Sequence, residues 1–482
     1  MLLKKNVEEF VQGIPLKSMP RTFQEAIDLT RQLGLRYLWI DALCIIQDSE
    51  DDWREQSSQM PNIYAGAYIT IASSANATPF DGLFDERNYQ WTHEPPAKLN
   101  LGVEQGVLEF TIRREYHSAA GYSEKDPLVK DHLVDRGWCL QEKVLSRRFL
   151  TFHPTEIQYT CAKQILLESY YEQESTWQLK QRGPFGANLR RFEDGDGAWK
   201  NDFFSIVQNA TKPGIARNKN KELFMADRAQ EAAEGKVIGY INITNELTHL
   251  QKLHERWYVI LHDYTCRNLT YEKDKLIAIS GVVKYILANS EIEDEYHAGM
   301  FRSMLPYALM WKIPAQKKSH ERWMNSRPTE YIAPSWSWAS MNEYLDFERC
   351  WNYVYEQATC EILSMTSTPV GNDIYSDVKE GKLVIKGRWK KALVQTQNDF
   401  LCHPTPEEVG SQRGGYLGVG TVHLDDRPTG EREVVCLELW KGQGLLLAEK
   451  EKEEGNWQRL GVYSMSAYDS TLVFNLLILL CR

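Results

Sequence analysis

The sequence predicts an α/β protein built on a doubly wound parallel sheet, continued by a helical region and a β-rich C-terminal part. Three observations predict it. Helix and strand signals alternate through the first 165 residues. Strong helical periodicity then occupies the stretches Leu247–Tyr264 and Asp274–Leu287. After Pro334 the texture changes to short β-like runs separated by Gly, Pro and charge clusters.

Taken in order, Thr22-Phe23-Gln24-Glu25 matches a capping box, a hydroxyl for the orphan amides with a glutamate reaching back. Phe23, Ala26, Ile27, Thr30 and Leu33 follow at helical spacing, and Gly34 supplies the stop. Tyr37–Ile46 (YLWIDALCII) is a near-continuous apolar run, as expected of a strand covered on both faces. Ser49–Asp52 repeats the capping pattern before a second helix carrying Trp53, Met60, Ile63 and Tyr64, with Pro61 expected to kink or split it. Tyr68–Ser73 (YITIAS) reads as the next strand. Strands alternating with helices of this length pair in parallel.

Residues 75–130 lose the pattern, contain Pro95-Pro96 and one strand signal at Val107–Arg113, and read as an insertion. Periodicity returns with Trp138–Leu145 as a short helix and Phe149–Cys161 as a strand or bent pair. The expected domains are therefore 1–165, a mostly helical 166–330 and a β-rich 331–482, the last with strands at Lys382–Gly387, Val434–Trp440, Leu445–Ala448 and Leu460–Ser464. The Glu449–Glu454 charge run reads as a solvated loop, Gly415–Gly420 as a turn, and Trp336-Ser337-Trp338 as a strand packing one domain on another.

Composition narrows the function classes. The 482 residues are 43% hydrophobic, ample for a core, and carry 56 Lys and Arg against 66 Asp and Glu, a formal charge of -10. An acidic surface without basic clusters repels phosphates, so nucleic acid is not the expected partner. Nine scattered cysteines without a CxxC indicate reduced thiols in cytosol or nucleus, with cytoplasm the expected location. Met1–Phe10 lacks the apolar core of a signal peptide, and Leu472–Cys481 is far shorter than the ~20 residues of a membrane span. The eleven histidines form no HExxH or other ligand cluster, which leaves no expected metal.

Several ordered blocks resemble the fungal heterokaryon-incompatibility (HET) family. They are Leu35–Asp48 (LRYLWIDALCIIQD) with Asp52-Trp53, then Met60, Ile63-Tyr64, Ala67–Ala72 and Asp81–Phe84, then Arg136–Glu142 (RGWCLQE) leading to Leu145-Ser146 and Arg148. Downstream, Tyr264, Arg267, Asp274–Gly281 and Ala333–Ser340 (APSWSWAS) resemble the extension common in fungal members. The resemblance implies a TIR-like domain of flavodoxin type and an intracellular role in non-self recognition leading to programmed cell death. It also implies protein partners and homo-oligomers. The family usually opens with a strand similar to YVALSYCWG. Nothing like it stands here, which predicts a sheet with its first, central strand absent and a truncated or degenerate copy of the domain.

The sharpest chemical candidate is Glu142. Trp138-Cys139-Leu140-Gln141-Glu142 resembles the Trp-Cys-Leu-x-Glu segment of plant TIR domains, whose glutamate is catalytic in cleaving NAD. The resemblance implies NAD as a substrate, with the carboxylate holding ribose hydroxyls and stabilising positive charge at the anomeric carbon. The competing role for Glu142 is a structural acid paired with Arg136, Arg147 or Arg148. Trp138, one turn earlier, is expected to wall the pocket, and Asp41, inside the predicted strand, either binds the ligand or is a structural anchor for the Gln47–Asp52 loop or Arg136. Cys44, Cys139 and Cys161 read as small core residues rather than nucleophiles. Beside the signalling role stand two further ones, an NAD glycohydrolase and a non-enzymatic interaction protein.

Overall fold

The computed structural model describes residues 1–84, 97–103, 106–112, 131–153, 157–161, 165–167, 207, 249–314, 326–347, 350, 357–395, 400–402, 418–425, 431–449, 456–465 and 475–481. It is a mixed α/β structure with a small sheet near the N-terminus, few helices and a large β-rich sheet near the C-terminus. Two compact units are present, one comprising residues 1–207 and 215–246 and the other residues 208–214 and 247–482.

In the first unit α1 (Val7–Gln12), α2 (Arg21–Gln32), a single turn α3 (Asp41–Cys44) and α4 (Glu50–Gly66) precede β1 (Thr70–Ser73). A hairpin of β2 (Ala97–Val103) and β3 (Gly106–Ile112) follows, with β3 at the predicted Val107–Arg113 signal. Then come α5 (Gly137–Leu145), β4 (Arg148–Phe152), β5 (Ile157–Cys161) and β6 (Ile165–Leu167). The strand order is β1-β4-β5-β6. Only the β1–β4 pair is parallel, with Thr70 opposite Phe149 and Ser73 opposite Phe152; the other two pairs are antiparallel. Phe149–Cys161 is thus the bent pair, and the doubly wound sheet is reduced to one parallel pair. The small core gathers Ala26, Leu83 and Phe152, with Leu29, Leu38, Ile71, Leu150 and Ile157 packed against it.

Three local expectations are corrected here. Tyr37–Ile46 is not a strand. No backbone partner in the described residues pairs with Arg36–Trp39, and at Asp41 the chain turns helical. That turn is held by Asp41 Oδ1, which accepts from the Ala42 amide at 2.7 Å, and by the Gln47 side-chain amide, which donates to the carbonyls of Asp41 and Ile45. A strand without a ladder partner has nothing to satisfy its amides, so a local turn wins. Pro61 does not break α4, because Ser57, Met60 and Pro61 are buried together and their packing carries the helix across the missing amide bond.

The capping box at Thr22 is also used otherwise. The helix already starts at Arg21, and Thr22 Oγ1 accepts from the Gly82 amide at 3.1 Å. Glu25 accepts from the amides of Leu83 and Phe84 and from Arg21 Nε at 2.7 Å. These bonds fasten the Asp81–Phe84 loop onto α2, where Gly82 sits at φ +99°, a conformation that favours glycine.

The second unit opens with α6 (His249–Thr265) and α7 (Ile277–Asn289), close to the predicted helices, and a short hairpin of β7 (Tyr296–His297) and β8 (Met300–Phe301). Eight further strands follow: β9 (Glu361–Pro369), β10 (Val378–Gln395), β11 (Phe400–Cys402), β12 (Gly418–Leu424), β13 (Glu431–Trp440), β14 (Gln443–Glu449), β15 (Asn456–Met465) and β16 (Asn475–Cys481). All four predicted strands lie within β10, β13, β14 and β15. Pairing of β11 with β10 closes β10, β11, β12, β15, β14 and β13 into a ring. Residues such as Val394, Val422, Val434, Leu446 and Tyr463 fill its interior.

The Gly415–Gly420 turn is corrected in part, since β12 begins at Gly418, and residues 415–417 lie outside the described residues. The Glu449–Glu454 loop also falls outside them, beyond Glu449 at the end of β14. Trp336-Ser337-Trp338 is not a strand. Trp338–Ser340 is a 3-10 turn buried within this unit, where the Trp338 indole donates to the Gly299 carbonyl at 2.7 Å and Trp311 donates to the Trp336 carbonyl at 3.2 Å.

Burial raises the Glu25 carboxyl pKa, but the two loop amides and Arg21 outweigh it and hold the group below its ordinary value of 4.5. A depressed folded pKa stabilises above the unfolded value and is lost as pH falls through the folded one. Glu25→Ala is expected to cost about 1–3 kcal/mol near neutral pH. In denaturant titrations at a series of pH values, the difference from wild type should shrink below pH 4.5.

Candidate active-site cleft

The first unit contains an open cleft of about 1160 Å³. Its walls are the start of α2, the segment Leu35–Asp41, the end of α4, the edge of β1, and Arg136, Cys139 and Glu142 from the start and inner face of α5. Two tethers hold these pieces in register. Ser146, at the end of α5, bonds Thr70 Oγ1 at 2.6 Å and the Glu142 carbonyl at 2.7 Å, fixing the helix to the first residue of β1. The His132 amide donates to the Ser74 carbonyl at 3.0 Å, fixing the approach to α5 at the other end of that strand.

Inside the cleft the Tyr64 hydroxyl donates to the Glu142 carboxylate, and the Asp41 carboxylate lies close enough to act on it electrostatically. Burial, then the negative charges of Glu142 and Asp41, push the Tyr64 phenol far above its ordinary range, so it stays a neutral donor at any physiological pH. The Tyr64 ring is fixed by an edge contact with Trp39, 5.8 Å between centroids at 76°. Glu142 is partly buried and Asp41 is exposed. A phenol, two carboxylates and the nearby Arg136 therefore meet in one concavity. Such a set can bind a polyhydroxylated ligand through its hydroxyls and favour positive charge developing beside the carboxylates.

Glu142 and Asp41 thus share one cleft. Asp41 reaches it from a helical turn, not from the carboxyl end of a strand, and its exposure removes the need for a buried counter-charge. Trp138 is corrected. It does not line the cleft but packs edge-on against Trp53, 6.1 Å between centroids at 87°. Trp138 and Glu142, one turn apart, both face α4, but Trp138 meets Trp53 near the start of that helix while Glu142 meets Tyr64 near its end. Arg148 donates to the Tyr68 carbonyl at 3.1 Å and lies 4.8 Å over its ring. Cys139 is buried and Cys161 partly so, but Cys44 is exposed and is not a core residue. Sequence reasoning missed Tyr64 as a functional group, although it stood in the recognised Ile63-Tyr64 block.

Elsewhere, His254 is buried against Ser303 at 2.8 Å, and burial pushes its pKa down to about 3, which keeps it a neutral packing group. No group of three or more His, Cys, Asp or Glu among the described residues has the arrangement of a metal site. No helix among them is long and apolar enough to cross a membrane.

These features define a mixed α/β domain with a carboxylate-lined cleft. Residues 3–142 match the family model described as Heterokaryon incompatibility protein (HET), a segment running from the N-terminal helices through Glu142 itself. The chain therefore carries a HET domain, which implies a heterokaryon-incompatibility-related function. No curated protein and no solved structure matches the chain.

Tyr64→Phe keeps the ring against Trp39 and removes one donor from Glu142. It is expected to destabilise the domain by about 1–3 kcal/mol. In a thermodynamic cycle with Glu142→Ala, thermal or urea melts should show a coupling of at least about 0.5 kcal/mol, whereas additive effects would rule out the bond.

Proposed function

We propose that the protein is a heterokaryon-incompatibility signalling protein, whose HET domain triggers growth arrest or programmed cell death once a non-self protein partner is recognised. The match of residues 3–142 to the HET family model carries this reading. The partners are other proteins, and homo-oligomers are part of the proposal through the likeness to TIR domains. A cytoplasmic location goes with it.

The cleft favours a second, compatible reading, an NAD glycohydrolase in which Glu142 is the catalytic carboxylate. Several features support a TIR-like arrangement. β1 and β4 are parallel, α4 leads into β1, and α5 leads into β4. The same two helices bring Tyr64 and Glu142 into one cleft. In this mechanism Glu142 holds the ribose hydroxyls beside the nicotinamide and stabilises the positive charge that grows at the anomeric carbon as its bond to nicotinamide breaks; water then bonds to that carbon and releases a proton to solvent. Tyr64 keeps the carboxylate oriented. Asp41 adds negative potential at the same place. The exposure of the cleft and its reduced sheet favour instead, as a third reading, an interaction protein without turnover.

The three separate cleanly in one experiment. Purified protein is incubated with NAD and nicotinamide release is followed, while the same variants are expressed in a fungal host and scored for growth arrest. The enzymatic reading expects Glu142→Ala to lower turnover by 100-fold or more, the scale of removing a group that stabilises transition-state charge, and to abolish arrest. Arrest that persists in Glu142→Ala, with no turnover in either protein, leaves signalling by assembly alone, and neither turnover nor arrest leaves the interaction protein.

A further inference from the structure

Hydrolysis in the cleft asks for two separate services from carboxylates. One stabilises the charge at the anomeric carbon, and the other takes the proton of the water that replaces nicotinamide. Glu142 is suited to the first. Its carboxylate already accepts from the Tyr64 hydroxyl, and holding the ribose hydroxyls uses most of its remaining acceptor sites.

Asp41 stands on a different wall of the same cleft, at the end of the segment Leu35–Asp41. Its placement is rigid. Oδ1 accepts from the Ala42 amide at 2.7 Å. The turn that follows is closed by the Cys44 amide on the Ile40 carbonyl at 2.9 Å and the Ile45 amide on the Asp41 carbonyl at 3.0 Å. Gln47 ties down the Asp41 carbonyl and makes no use of the carboxylate. Among the described residues no ion pair joins Asp41 to Arg36 or Arg136, and Oδ2 has no hydrogen bond. An asparagine or a serine would serve the Ala42 amide equally well. The negative charge therefore has no structural duty among these contacts.

Tyr64 bridges the two walls. Its ring packs edge-on against Trp39, two residues before Asp41, while its hydroxyl reaches Glu142 on α5. The charge of Asp41 is felt at that same hydroxyl. Two carboxylates thus converge on one space from separate elements. One is engaged and partly buried; the other is exposed to water with an oxygen free. Glycosidic bonds are commonly hydrolysed by such a pair, with one carboxylate for the charge and one for the water.

We infer that Asp41 is a second catalytic carboxylate, the general base that accepts the proton of the attacking water. The inference rests on the glycohydrolase reading of the cleft. As the bond between the anomeric carbon and nicotinamide breaks, its electron pair goes to the ring nitrogen and nicotinamide leaves neutral. The water oxygen bonds to that carbon, its proton passes to Asp41 Oδ2, and solvent then takes it from there.

The full chain carrying Asp41→Asn tests it. The amide keeps an oxygen for the Ala42 N–H, so the turn holds and the urea midpoint stays that of wild type. Nicotinamide release from NAD should fall about 100-fold or more with KM little changed, the scale of losing a general base. Azide needs no base and is no longer repelled by a charge at this position, so it should restore about a tenth or more of the wild-type rate and yield ADP-ribosyl azide. Glu142→Ala should stay inactive in azide. Wild-type turnover in Asp41→Asn, or a loss that azide leaves untouched, overturns the assignment and leaves the Glu142 chemistry standing. Absence of turnover in the wild type overturns both at once.

Discussion

The parallel pairing of Thr70–Ser73 with Phe149–Phe152 is the constraint on which the candidate site rests. It joins two helix-strand units that are distant in sequence. Each strand is preceded by a helix running back to its start, so pairing the strands brings α4 and α5 side by side. Tyr64 then meets Glu142 and Trp53 meets Trp138. One ladder therefore produces both a packed aromatic contact and a polar one. The Thr70–Ser146 hydroxyl bond fixes how far along the ladder α5 ends. A slip of one residue would turn Ile71 out of the core and move Glu142 away from its donor at the same time.

Much of this was legible locally. α2, α4, α5, the two helices of the second unit and four of its strands follow from periodicity and stop signals, because each buries one face of a regular element. The site was legible in part. Glu142 could be singled out from its segment, but its partner Tyr64 lies far away in sequence, and only the sheet brings them together. Asp41 shows the limit of composition. A continuous apolar run is compatible with a covered strand and equally with an extended wall that ends in a helical turn, and the missing neighbour decides between them. Trp138 fails for a related reason. Spacing along a helix gives the face a residue shares but not which neighbour that face meets.

The residues corrected by the structure have something in common. Glu25 and Thr22 carry signals for local capping, yet both are used to bind a loop. Polar side chains that satisfy a helix end in isolation serve equally well for any nearby orphan amide. In a domain whose core is as small as the cluster around Ala26, Leu83 and Phe152, such polar ties take a larger share of the work of holding loops in place.

In the second unit, Arg459 is fully buried. Its guanidinium donates to the carbonyls of Leu309 and Trp311, contacts Asp425 at 3.1 Å and lies 3.1 Å over the Trp311 ring. A guanidinium cannot shed its proton to escape such a place, so every one of these neighbours has to be present whenever β15 is inside. The segment before the ring of strands and the ring itself are thereby obliged to form together. A deletion that removes the segment bearing Leu309 and Trp311 would strand a charge in oil, and the whole unit, rather than one piece of it, would come apart.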